Sequence, residues 1–141
     1  MELIDILLVE DNPGDVRLTR DAFKDAKVLN RLTVVTDGEE ALEYLRREGR
    51  HADAARPDLV LLDLNLPKKD GRQVLAEMGK DKELRKIPVA VLTVSEADED
   101  VHEAFNLHAK SYVTKPIDVV QLLAVVRTVG GFGLGILKAG A

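Results

Sequence analysis

Four short segments of this chain end in residues suited to phosphate or metal chemistry: Glu10-Asp11-Asn12, Asp63-Leu64-Asn65, Thr93-Val94-Ser95 and Thr114-Lys115-Pro116. If Glu10, Asp11 and Asp63 met at one rim, their charges would repel and at least one pKa would rise. A hard divalent cation relieves that repulsion by taking oxygen ligands. Mg²⁺ suits such a site because it uses few carboxylates and leaves coordination room for a phosphate oxygen. Lys115 would add a fixed positive charge beside that oxygen, and Thr93 a hydroxyl donor in the same small volume. Together these residue types form a layout for phosphoryl transfer. Any one of them alone would read as a turn former, a helix cap or a solvated charge.

What must bring them together is a sheet. Short apolar runs recur at Leu3 to Val9, Leu32 to Val35, Leu59 to Leu62, Pro88 to Val94 and Ser111 to Thr114. Each is followed by a polar turn and a helix-like stretch, and runs apolar on both faces suit strands covered on both sides. The alternation therefore predicts an α/β protein with a parallel sheet and helices packed on each face. In such a sheet ligands bind at the carboxyl ends of the strands, where the four segments lie.

Five helices are expected. The first carries Val16, Thr19, Phe23 and Ala26 at helical spacing, with Asp15 as its expected N-cap. The second runs Gly38 to Arg47 and the third Gly71 to Met78, each with one apolar side. The fourth, Glu96 to Asn106, loads its first turns with acids. The fifth, Asp118 to Val129, has a core stripe of Val119, Leu122, Leu123 and Val126, with Val120, Ala124 and Val125 off that stripe. That surplus of apolar surface points to burial against a second copy of the chain. Arg46 to Pro57 reads as an extended charged loop, and Gly130 to Ala141 as a glycine-rich apolar extension. The expected organisation is a domain over residues 1–129 with an extension over 130–141.

Composition narrows the function classes. At 141 residues, 45% hydrophobic and 32% charged, the chain fits one globular domain, with no room for a second folded output domain. Its net charge of −5 and the lack of a basic stripe disfavour direct nucleic-acid binding. Cys 0 removes disulfides and thiolate chemistry, and the three histidines lack zinc-site spacing. Acids at the N-terminus, with no cleavage signal after Val9, make the first residues part of the fold and the expected location cytoplasmic, without membrane contact.

The blocks Leu8-Val9-Glu10-Asp11-Asn12, Leu61 to Pro67, Asp70-Gly71, Leu92-Thr93 and Tyr112 to Pro116 resemble, in order, those of the receiver domain of two-component response regulators. The resemblance covers residues 3 to 129. It implies a flavodoxin-like doubly wound (βα)5 fold with a five-stranded parallel sheet in the order 2-1-3-4-5. It also implies that Asp63 accepts a phosphoryl group from a sensor histidine kinase, and that Glu10, Asp11, Asp63 and the Asn65 carbonyl hold Mg²⁺. Lys115 would pair with the phosphoryl group, Thr93 would move to it, and Tyr112 would turn inward behind Thr93. The switched surface would be the face of the fourth helix, fifth strand and fifth helix. The only catalytic activity implied is self-phosphorylation from small donors and autodephosphorylation.

The loop at Arg46 to Pro57 and the segment Asp63 to Gly71 are further similar to small stand-alone regulators serving phytochrome-type kinases, relatives that form homodimers through that same face. Two positions depart from the family pattern. Val94 stands where a small residue is usual, which predicts slowed phosphotransfer or hydrolysis. His108 stands at a helix end where Gly is common and reads as a cap. The Lys115-Pro116 bond is a candidate cis peptide. The alternative functions are a phosphorelay intermediate and a Mg²⁺-dependent phosphatase on the same sheet. A phosphatase would need an added acid/base carboxylate or a phosphate-cradling glycine loop, and neither is visible. A flavin carrier would need a phosphate loop after the first strand, where this chain has two acids.

Overall fold

The computed structural model describes residues 3–93, 111–115 and 117–129. Five strands, β1 (Ile4–Val9), β2 (Asn30–Val35), β3 (Leu59–Asp63), β4 (Val89–Thr93) and β5 (Ser111–Thr114), form one parallel sheet in the order β2-β1-β3-β4-β5. Four helices are described: α1 (Pro13–Asp25), α2 (Gly38–Arg46), α3 (Gly71–Lys80) and α4 (Val119–Val129). The last is the fifth helix of the sequence reading. The fourth expected helix, Glu96 to Asn106, lies outside the described residues, as do Val94, His102, His108, Pro116 and Gly130 to Ala141. The flavodoxin-like doubly wound order is the one expected.

Alternation along the strands divides the core in two. Leu7, Val9, Val60, Leu62, Val89 and Val91 face α2 and α3, where Leu42, Val74, Leu75 and Met78 close over them. Ile6, Leu8, Leu59, Leu61, Ala90 and Val113 face α1 and α4, packing on Phe23, Leu122 and Val126. Every residue of β3 is buried. A strand covered on both faces has no need of polar positions, hence its unbroken Leu-Val-Leu-Leu run. Burying each such side chain contributes roughly 1.5–3 kcal/mol.

The helices begin at acids and amides that satisfy free N–H groups. Asp37 accepts from the Glu40 amide at 2.8 Å. Asp70 and Gln73 cap one another's backbone at 3.1 and 3.0 Å, a reciprocal capping box. At α1 the N-cap is Asn12, whose Oδ1 accepts from the Asp15 amide at 3.0 Å. Asp15 was the expected cap, but with Pro13 at the first helical turn the cap moves back to Asn12. The Asp15 carboxylate is thereby left for another contact.

Two further expectations are corrected. Val125 is core: it lies three residues after Leu122, shares its face and is buried, whereas Val119 and Leu123 are half-buried. Val120 is the residue left outside, 77% exposed. The Arg46 to Pro57 connection is not simply extended. It forms a 3-10 turn over Gly49–His51 that folds back on α2. There His51 Nε2 meets Glu40 Oε2 at 3.1 Å, Arg50 reaches Glu40 at 3.4 Å, and the His51 ring stands edge-on to Tyr44.

Candidate functional site

β1 and β3 are neighbours in register, Val9 beside Leu62, so the residues that follow them, Glu10 and Asp63, emerge side by side at the carboxyl edge. Glu10, Asp11 and Asp63 each bring one carboxylate oxygen within 4.8 Å of the others. Glu10 is 1% exposed and Asp63 5%, while Asp11 is open to solvent.

Lys115 arrives from the end of β5. Gln121 of α4 fixes that strand end, accepting from the Thr114 amide at 2.9 Å and donating to the Thr114 carbonyl at 3.1 Å. The Lys115 Nζ then lies 2.7 Å from Glu10 Oε1, 2.9 Å from Asp63 Oδ2 and 3.1 Å from Asp15 Oδ2. The first contact is the shortest of the three, so the ammonium meets the buried Glu10 Oε1 directly. The other oxygens of the pair receive backbone amides, Asn12 N to Glu10 Oε2 at 3.3 Å and Asn65 N to Asp63 Oδ1 at 3.0 Å.

Electrostatics follow from this crowding. Burial pushes the Glu10 carboxyl up from 4.5 to about 7, with Lys115 opposing the shift and the Asp63 charge adding to it. Burial works to lower the Lys115 ammonium, but its hydrogen bonds to Glu10 and Asp63, and their charges, hold it above the ordinary lysine value. The lysine stays charged and compensates two buried acids. Three carboxylates that converge, two of them buried, fit a hard divalent cation with oxygen ligands.

Thr93 ends β4, paired with Thr114 across β5, and Leu92 pairs with Asp63. Its backbone therefore stands at the same edge as Asp63 and Lys115. Tyr112 pairs with Val91, two positions back along β5 from Thr114. The side chains of Thr93 and Tyr112 fall outside what is described.

Two contributors were not legible as site residues. Asp15 reaches Lys115 from the first turn of α1; the signal available was that a helix starting after β1 presents its first turn to the same rim. Gly71 closes the loop that follows Asp63, its amide donating to the Leu64 carbonyl at 2.9 Å. A Cβ there would lie 2.5 Å from the Asp63 carbonyl oxygen and 2.6 Å from Leu64 Cα, both backbone atoms that cannot turn aside. Gly71→Ala is accordingly expected to cost about 1–3 kcal/mol in urea unfolding. The same push on the Asp63 backbone is expected to weaken divalent-ion binding measured by calorimetry.

Residues 6–127 match the family model of the response regulator receiver domain. The chain belongs to that family. It is 42% identical over 129 residues to the response regulator Rcp1 of Synechocystis sp., covering 92% of this chain and 88% of that protein. Among solved structures, the phosphorylated cyanobacterial phytochrome response regulator RcpA superposes with a TM-score of 0.78 at 47% identity, over 94% of this chain and 95% of that one. The Mn²⁺-bound form of Rcp1 gives a TM-score of 0.76 at 39% identity, covering 94% of each chain. This chain is thus a receiver, a component of two-component signalling, and it resembles regulators of phytochrome type.

Proposed function

We propose that the receiver accepts a phosphoryl group on Asp63 from a sensor histidine kinase of phytochrome type, in a reaction that requires Mg²⁺. The observation that carries this reading is the convergence of Glu10, Asp11 and Asp63 around the Lys115 ammonium at the carboxyl edge of the sheet. Glu10, Asp11, Asp63 and the Asn65 carbonyl would hold the ion, which when bound offsets negative charge on the transferring group. An Asp63 carboxylate oxygen forms the new P–O bond while the P–N bond to the kinase histidine breaks, the electron pair returning to the imidazole. Lys115 stands where it can pair with the phosphoryl oxygens. Thr93 would supply the responding hydroxyl, and Tyr112 would follow it. The phosphorylated state of RcpA and the Mn²⁺-bound form of Rcp1 support both halves of the reaction for this family.

The reading makes the protein a signalling switch rather than an enzyme acting on a separate substrate. Its output is the surface of the fourth predicted helix, β5 and α4. On α4, Val120 is 77% exposed and Ala124, one turn on, is also exposed. This apolar strip is the proposed contact of a homodimer. Val120→Lys is expected to shift sedimentation from dimer towards monomer, and an unchanged profile would remove the strip from the interface. Residues 1–129 would form the receiver and 130–141 an extension. No helix among the described residues is long and apolar enough to cross a membrane. With the acidic net charge of −5, a cytoplasmic protein acting without nucleic acid is the proposed setting.

The experiment that tests the phosphoacceptor reading is intact mass after incubation with acetyl phosphate. One phosphoryl group is expected with Mg²⁺ and none in chelator. An unmodified mass that persists with Mg²⁺, together with no binding of beryllofluoride, would overturn it.

A further inference from the structure

The Lys115 ammonium has three N–H donors and three carboxylates around it: Glu10 at 2.7 Å, Asp63 at 2.9 Å and Asp15 at 3.1 Å. Glu10 and Asp63 stand in the acidic cluster with Asp11, and Asp15 does not. Among the described residues the Asp15 carboxylate contacts Lys115 alone. Its amide is capped by Asn12 and its carbonyl accepts from the Thr19 hydroxyl at 2.9 Å. The carboxylate comes from α1, a hundred residues away in sequence, and its side chain is 31% exposed against 16% for Lys115. Its contact is the outermost of the three and the one closest to water.

We infer that Asp15 is a positioning residue that holds Lys115 in its resting place and is released when a phosphoryl group arrives on Asp63. The inference rests on the phosphoacceptor reading above. A phosphoryl oxygen needs an ammonium donor. Glu10 is buried and Asp63 is the acceptor itself, so the donor shared with Asp15 is the one that can be given up at least cost. Asp15 also places a negative charge against the ammonium that the arriving anion must share. Both effects work against the phosphorylated state, and both vanish when the carboxylate becomes an amide.

Beryllofluoride binding at saturating Mg²⁺, followed by calorimetry on wild type, Asp15→Asn and Asp15→Glu, tests this. Asp15→Asn is expected to bind beryllofluoride about three- to tenfold more tightly, the effect of removing one unit charge a few ångström away in a high effective dielectric. Asp15→Glu, whose longer carboxylate still reaches Lys115, is expected to restore the wild-type affinity. Mg²⁺ affinity without fluoride is expected to stay level or weaken in Asp15→Asn, opposite in sign to the fluoride effect, since losing a negative charge does not favour a cation. Equal or weaker beryllofluoride binding in Asp15→Asn would overturn the inference, as would a glutamate that behaves like the asparagine. A wild type that binds no beryllofluoride would instead overturn the phosphoacceptor reading itself, and this inference with it. A change in melting temperature alone, with affinities unmoved, would reduce Asp15 to a structural residue.

Discussion

Asp63→Asn is expected to abolish phosphoryl uptake from acetyl phosphate while leaving the protein folded. The substitution keeps the shape of the side chain. It leaves an oxygen to accept from the Asn65 amide, now 3.0 Å from Asp63 Oδ1. What it removes is the carboxylate nucleophile, since a neutral amide oxygen does not form a stable acyl phosphate. Intact mass with Mg²⁺ present should therefore show no adduct, against one phosphoryl group on the wild type. The charge balance explains why the fold should survive. Breaking a buried ion pair usually costs about 3–5 kcal/mol because one charge is left alone. Here Lys115 would keep Glu10 at 2.7 Å and Asp15 at 3.1 Å. Neutralising Asp63 also relieves Glu10 of the neighbour that helps raise its pKa. Urea unfolding of the metal-free variant should show a midpoint no lower than wild type, while Mg²⁺ affinity falls more than about tenfold for want of one charged ligand. A phosphorylated Asp63→Asn protein would move the acceptor to another residue.

Much of this arrangement was readable from residue types, and its gaps have physical causes. The buried run of β3 announces itself because both faces demand apolar side chains. β2 is longer than its apolar run because it is an edge strand. Asn30 and Arg31 pair with Ile4 and Asp5 through the backbone ladder, which does not require apolar side chains, and Arg31 meets the Asp5 carboxylate at 3.5 Å. Carboxylates at the ends of β1 and β3 could be assembled in advance because a parallel sheet puts all its carboxyl ends on one rim. Asp15 could not be placed so readily. A carboxylate in the sequence Asn12-Pro13-Gly14-Asp15 suits a cap as well as a rim contact, and only the position of Asn12 decides between them. Gly71 is legible as a turn residue, but its packing against the Asp63 carbonyl depends on how tightly the loop closes. Val125 shows the limit of a stripe drawn on four positions: α4 sits close enough to the sheet to bury a wider arc.

The second large effect concerns pH. In chelator, the wild-type protein is expected to be more stable at pH 6 than at pH 8. The Glu10 carboxyl rises from 4.5 to about 7 in the folded protein, chiefly through burial. Between those values the folded state binds more protons than the unfolded state, so unfolding free energy falls as pH rises through the window and levels off above it. The interval from 4.5 to about 7 converts to on the order of 3 kcal/mol as a ceiling, of which only about 1 kcal/mol falls above pH 6. Groups held below their ordinary values work in a different range. The Glu77 carboxyl, lowered first by its 2.6 Å contact with Lys69, and Asp81, lowered by the amides of Leu84 and Glu83, lose their stabilisation only as pH falls through their own depressed pKa values. They therefore add nothing to the slope between pH 6 and 8. Urea midpoints taken across that range in chelator should descend more steeply for the wild type than for Glu10→Gln. Saturating Mg²⁺ should lift the wild-type value at pH 8 more than at pH 6, because the ion and the proton compete for one buried carboxylate. A wild-type midpoint that runs parallel to that of Glu10→Gln in chelator would mean that Lys115 holds Glu10 ionised across that range, and the acidic cluster would then enter metal binding already balanced.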